Sequence, residues 1–165
     1  MSPEAFEDGI KIKISSYKRQ TNNLVSRSKV NGNYVTSIMA LQEAMQEGYD
    51  EALLLDDENN ISEGSGENLF LVKDETLYTP DLAASLNGIT RKSIISLAEE
   101  DEIKVVVKKI NLNEILEADE LFFTGTAAEV VPIKKVDQNT IADGNRGKIT
   151  TCLLYTSPSP RDLDL

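Results

Sequence analysis

The chain has 165 residues, of which 40% are hydrophobic and 27% charged, with 28 acidic against 17 basic side chains and a formal net charge of −11. That length supports one domain with a real core, and the acidity excludes a nucleic acid or an anionic membrane as the natural partner, since both need a basic footprint. There is no histidine and only one cysteine, Cys152, which removes Ser-His-Asp and Cys-His nucleophile systems, His-ligated metal sites and any internal disulfide. Acid–base chemistry is left to Lys, Tyr, Asp or Glu, and the cysteine usage fits a reducing, cytoplasmic setting. No apolar run is long enough to span a membrane. The acidic start, M-S-P-E-A-F-E-D, lacks the basic and apolar regions of a signal peptide. It reads as the beginning of a segment partway into a larger protein.

Residues 9–16, G-I-K-I-K-I-S-S, alternate apolar and polar side chains with the period of a half-buried strand, and 17–23 read as a polar loop. A helical pattern follows, with Tyr34, Ile38, Leu41 and Met45 on one stripe and Val35 and Met39 beside it. Ser28, Asn31 or Asn33 is the expected cap and Gly48 the stop. Residues 51–55, E-A-L-L-L, read as a short buried strand.

The stretch I-S-E-G-S-G-E-N-L-F-L (61–71) reads either as a ligand-facing loop on a sheet or as a hairpin turn with charged flanks. Residues 68–73 and 76–79 form a hairpin around Asp74 and Glu75, and Pro80 ends it. A second amphipathic helix follows L-N-G-I-T-R (86–91), with Thr90 as N-cap and Ile94, Ile95, Leu97 and Ala98 inward. Residues 103–107 read as a β-branched strand, 112–118 as a short helix or turn, and 120–124 and 130–136 as strands flanking G-T-A-A-E. The expected fold is a mixed α/β domain with strands packed against helices. Residues 151–165, rich in Ser-Pro pairs, read as a non-native or disordered tail and are set apart from the domain at 1–150.

Four blocks taken in order resemble the class IV pyridoxal-phosphate aminotransferases, most closely the branched-chain amino-acid group. They are S-K-V-N-G-N-Y (28–34), Y-D-E-A-L-L-L-D with I-S-E-G-S-G-E-N-L-F-L (49–56 and 61–71), L-N-G-I-T-R (86–91) and L-F-F-T-G-T-A-A-E-V-V-P-I (121–133). The later D-G-N-R-G-K-I-T (143–150) also resembles the end of that family's domain. The resemblance implies the large, cofactor-binding domain of the D-amino-acid-aminotransferase-like fold, without the family's small N-terminal domain and closing C-terminal helix. It implies pyridoxal 5'-phosphate as cofactor, no metal, and amino-acid and 2-oxo acid substrates, with a homodimer or higher homo-oligomer as the parent assembly.

By the same resemblance Lys29 is the Schiff-base lysine, because the chemistry needs a primary amine for the cofactor aldehyde and for proton transfer at the substrate α-carbon. Tyr34 bonds the ring oxygen. Glu63 pairs with the pyridine nitrogen and keeps the ring an electron sink, with Glu67 supporting it. The Gly-Ser-Gly turn then serves to aim Glu63. Ile89 and Thr90 hold the phosphate at a helix N-terminus. Thr126 touches the phosphate, and the amides of Thr126 and Ala127 hold the substrate carboxylate. The family's phosphate-binding arginine lies in the missing part, and Arg91 is not assigned in its place. The expected reaction is transfer of the amino group of leucine, isoleucine or valine to 2-oxoglutarate. The isolated chain is expected to have little or no activity. A D-amino-acid aminotransferase, an aminodeoxychorismate lyase and a non-catalytic piece remain open at this stage.

Overall fold

The computed structural model describes residues 3–21 and 28–156. The expected loop positions 22–23, the start of the 26–34 block and the tail from 157 onward lie outside those residues. A short helix α1 (Pro3–Asp8) leads into β1 (Ile10–Arg19). A single 3₁₀ turn (Asn31–Asn33) precedes α2 (Tyr34–Gln46). Then come β2 (Glu51–Asp56), β3 (Ile61–Gly64), β4 (Asn68–Lys73) and β5 (Thr76–Pro80). The second half holds α3 (Ile89–Glu100), β6 (Val105–Lys108), α4 (Leu112–Leu116), β7 (Glu120–Gly125), β8 (Glu129–Val136), β9 (Asn139–Thr140) and α5 (Lys148–Thr156).

Among the described residues these strands form one mixed sheet in the order β3-β2-β1-β8-β7-β4-β5-β6, with β9 on β8. Two parallel pairs are joined through helices: β1 and β2 across α2, and β5 and β6 across α3. A parallel pair needs such a crossover. The other links are short. Lys73 pairs with Thr76, so Asp74 (φ 48°) and Glu75 (φ 57°) make the two-residue turn in the left-handed region that a tight hairpin requires.

Strands β2, β4 and β7 are buried on both faces, which explains their near-continuous apolar runs. Along β4, Leu69 and Leu71 enter the core inside the curled sheet, while Phe70 and Val72 enter a second core beneath α3 and α5. On β7, Leu121 and Phe123 point to the first core and Phe122 to the second, where it stacks on Phe70 at 5.3 Å between ring centroids. Alternate side chains of β2 divide in the same way, Leu53 going inward and Ala52 and Leu54 meeting α2.

Four expectations change or narrow. Tyr17 to Arg19 continue β1 instead of forming a loop, and Lys18 and Arg19 pair with Leu55 and Asp56. The buried face of α2 is Ser37, Ala40 and Ala44, whereas Tyr34, Val35, Ile38, Met39 and Met45 are exposed. The helix lies against Ala52 and Leu54, and close contact there takes small side chains. Of the two readings open for 61–71, the plain hairpin drops out and the loop on a sheet remains: β3 pairs with β2, and β4 pairs with β5 and β7. Finally, the break expected after residue 150 falls inside α5, where Leu153 is fully buried in the second core. Gly48 (φ 82°) does end α2, and the hairpin, α4 and the remaining strands stand where the sequence places them.

Candidate functional site

A cavity of about 260 Å³ opens where the ends of β1, β3 and β7 meet the start of β4, the start of α3 and the segment around Lys29. It gathers most of the residues expected from sequence. Lys29 and Tyr34 are exposed side chains in its wall. Glu63 lies in the wall and is buried, only 8% exposed. Ile89, Thr90 and Thr126 complete the wall. Ala127 is exposed and its side chain is not part of it.

Glu63 is the penultimate residue of β3, and both its oxygens are engaged. Arg19 Nε stands 3.2 Å from Oε1, and the amide of Leu86 donates to Oε2 at 2.9 Å. The arginine contact is an ion pair in distance more than an aligned hydrogen bond. Arg19 also donates through Nη2 to the Ser37 hydroxyl at 2.6 Å, which ties β1 to α2. Burial pushes the Glu63 carboxyl above its ordinary range, and the Arg19 charge and the Leu86 amide oppose that. Arg19 was not identified from sequence. It sits in a polar run, and no local signal marks it; the need of a buried Glu63 for a cation was the only pointer.

The turn after Glu63 is dictated by close approach. A β-carbon at Gly64 would lie 2.8 Å from Glu67 Oε2 and 3.1 Å from Phe123 Cζ, so a larger residue would have to displace the Glu67 carboxylate and press on the Phe123 ring. Glu67 accepts from the Gly66 amide at 3.0 Å. Burial, then the nearby Glu51 and Glu63 charges, push its carboxyl up to about 7. Glu51, buried at the start of β2, is also raised by burial, against bonds from the Ala52 amide and from Ser65.

The far wall is the start of α3. The helix begins at Ile89 with Gly88 as its N-cap, and no side chain caps it. Thr90 is therefore inside the first turn and does not serve as the expected N-cap. Since Ile89 and Thr90 line the cavity, an uncapped helix N-terminus with its partial positive charge sits at the wall. Arg91 turns away: its guanidinium donates to the Pro80 carbonyl at 3.2 Å and to Asn87 Oδ1 at 3.3 Å. Thr124, fully buried in the wall, has a hydroxyl oxygen with no hydrogen-bond partner among the described residues. A buried polar atom of this kind in a cavity wall is accounted for by a ligand or water.

The arrangement offers an amine, an anion held against a cation, and an anion-binding helix end around one space. Among the described residues there is no group of three or more His, Cys, Asp or Glu side chains fit to hold a metal ion, and no helix is long and apolar enough to cross a membrane.

Residues 1–136 match the family model described as amino-transferase class IV. The branched-chain-amino-acid aminotransferase of Pseudomonas aeruginosa is 51% identical over 151 residues, which is 91% of this chain and 49% of that protein. The Escherichia coli (strain K12) enzyme of the same name is 42% identical over 152 residues, covering 91% and 49%. The crystal structure of the Escherichia coli branched-chain amino acid aminotransferase superposes with a TM-score of 0.89 at 41% identity, over 92% of this chain and 51% of that one. A T.th. branched-chain amino acid aminotransferase complexed with N-(5'-phosphopyridoxyl)-L-glutamate gives 0.88 at 41% identity, over 92% and 51%. These likenesses bear out the expected fold. The chain spans about half the length of the curated relatives it matches.

Proposed function

The chain belongs to the amino-transferase class IV family, and from that premise we propose that its domain, α5 included, forms the pyridoxal 5'-phosphate-holding part of a branched-chain amino-acid aminotransferase. The reaction proposed for the whole enzyme moves the amino group of leucine, isoleucine or valine to 2-oxoglutarate. The observation that carries the reading is the grouping of Lys29, the Arg19-paired Glu63 and the uncapped α3 N-terminus around one cavity. The donor set fits the cofactor group by group: an amine for its aldehyde, a carboxylate for its ring nitrogen, a helix end for its phosphate. The orphaned Thr124 hydroxyl is a further polar atom in need of a partner there.

When bound, pyridoxal phosphate supplies an electron sink for charge developing at the substrate α-carbon. Lys29 Nζ would hold the cofactor aldehyde and would carry the proton at that carbon. Glu63 keeps a negative charge against the ring nitrogen, and Arg19 and the Leu86 amide hold it there. Tyr34 donates to the ring oxygen. Ile89, Thr90 and Thr126 take the phosphate, and the Thr126 and Ala127 amides orient the substrate carboxylate. A homodimer or higher homo-oligomer in the cytoplasm is the proposed setting.

The test is chemical capture. The chain is incubated with pyridoxal phosphate, reduced with borohydride, digested and mapped by mass spectrometry. A single phosphopyridoxyl adduct on Lys29, lost in Lys29→Ala, is the expected result. No adduct, or adducts scattered over surface lysines, overturns the reading.

A further inference from the structure

The backbone of Leu86 is held by three hydrogen bonds, one at its N–H and two at its carbonyl. Its N–H donates to Glu63 Oε2 at 2.9 Å. Its carbonyl accepts from Asn68 Nδ2 at 2.8 Å and from the Gly88 amide at 3.0 Å. The last bond closes a three-residue turn that sends the chain into α3. Asn68 is buried, 7% exposed, and opens β4, where it pairs with Thr124 of β7. Its side chain is packed so closely on the turn that a β-carbon at Gly88 would stand 2.4 Å from Asn68 Oδ1. Ser62 adds a fourth tie, its hydroxyl donating to the Ala84 carbonyl at 2.8 Å. The segment carrying the α3 N-terminus therefore rests on β3 and β4 side chains and has no capping side chain of its own.

We propose that Asn68 is a positioning residue for the phosphate end of the cofactor: through Leu86 and Gly88 it sets where the first turn of α3 presents its amides. The proposal rests on the cofactor reading above and adds to it that the carboxylate end and the phosphate end of the site share one residue's backbone, that of Leu86. Glu63 holds the N–H side of Leu86 and Asn68 holds the carbonyl side. Neither the Asn68 bond nor the Gly88 contact follows from the local sequence, because 18 residues separate Asn68 from Leu86.

A residue that merely stabilises the fold, or that touches the cofactor ring, would affect pyridoxal phosphate and phosphate-free pyridoxal alike. A residue acting through the α3 N-terminus affects only the phosphorylated form. The two aldehydes are therefore titrated separately against wild type, Asn68→Leu and Gly88→Ala, with bound fraction read as the borohydride-trapped Lys29 adduct. Asn68→Leu removes the bond with little change in volume, and Gly88→Ala keeps the asparagine but sets a methyl group against its Oδ1 and so disturbs its hold on the turn. Far-UV circular dichroism confirms that each variant folds. Each folded variant is expected to weaken pyridoxal phosphate by about tenfold, the scale of one lost hydrogen bond to a buried group, and pyridoxal by no more than about twofold. If Asn68→Leu does not fold, Gly88→Ala decides alone. Equal weakening of both aldehydes, or an unchanged preference for the phosphorylated one, overturns the inference. Failure of the wild type to form the Lys29 adduct overturns the functional reading itself, so the two failures are told apart.

Discussion

The Arg19–Glu63 pair can be tested by a double-mutant cycle. Both side chains are 10% exposed and their charged atoms lie 3.2 Å apart. At an effective dielectric of about 20 the attraction is roughly 5 kcal/mol. Desolvation of both groups offsets much of it, as the raised Glu63 carboxyl shows. Breaking the pair from one side is a different matter, because it strands a buried charge. Arg19→Met and Glu63→Gln should each cost about 3 kcal/mol, the low end for an uncompensated buried ion. Arg19→Met also loses the bond to Ser37, so single values do not report the pair, and the cycle is needed to isolate it. The double variant should be less destabilised than the sum of the singles by about 2 kcal/mol or more. The assay is urea unfolding of the 165-residue chain followed by circular dichroism at neutral pH, extrapolated linearly. The coupling should persist in strong salt, since a buried pair is screened little. A coupling within about 0.5 kcal/mol of zero refutes the claim that Arg19 and Glu63 stabilise one another.

Two further outcomes are expected. The Glu67 carboxyl sits at about 7 in the folded chain against an ordinary 4.5, so the folded form holds the proton more tightly between those values. Stability is then present in full below about 4.5 and lost as pH rises through 7. Glu67→Gln should leave thermal stability nearly unchanged at pH ~4 and raise it at pH ~8 by up to roughly 3 kcal/mol, a ceiling because Glu51 shares the effect. A gain independent of pH would rule out titration as its source. Leu153→Ala removes a fully buried side chain of α5 and should cost about 2–5 kcal/mol in chemical unfolding; a neutral result would mean that α5 is not part of the cooperative fold.

Strand β1 was legible by its alternation, and β4 and β7 because they are buried on both faces. Phe70 and Val72 need no alternation with polar residues when α3 and α5 cover one side and the inner core covers the other. Lys29, Tyr34, Thr90 and Thr126 were found through block resemblance, and the structure brings all four to one cavity. The helix α2 was legible in extent and illegible in facing. Pattern reading assigns the bulky stripe inward, but what decides the contact is how closely the helix can approach β2. Ala40 and Ala44 against Ala52 and Leu54 allow that approach, and Tyr34, Val35, Ile38, Met39 and Met45 are left on the open side. Arg19 was illegible for a related reason: its burial depends on a carboxylate far along the chain, and a polar run carries no trace of that.

Of the two readings open for 61–71, the one that survives, a loop on a sheet lining a cavity, explains where the site comes from. In a hairpin, β3 and β4 would hydrogen-bond to each other along their length and the E-G-S-G turn would project into solvent. Here β3 is committed to β2 and β4 to β5 and β7. The turn crosses between two ladders that diverge, and Ser65, Gly66 and Glu67 edge the gap between them. Glu63, one residue before β3 ends, is placed with its carboxylate in that gap, where backbone pairing no longer fills the space. Side chains from other elements fill it instead: Arg19 from β1, and Asn68 from β4 through its hold on the Leu86 turn. A carboxylate in this position is buried without being packed in the core. It is held by a charge and an amide and still borders open volume, which suits the role proposed for it against a cationic ring nitrogen. The glycines fit the same account: Gly64 lets Glu67 fold back over the turn, and Gly88 lets Asn68 press on the helix start. Both make room for protein side chains that position the site, and Gly88 also lines the cavity.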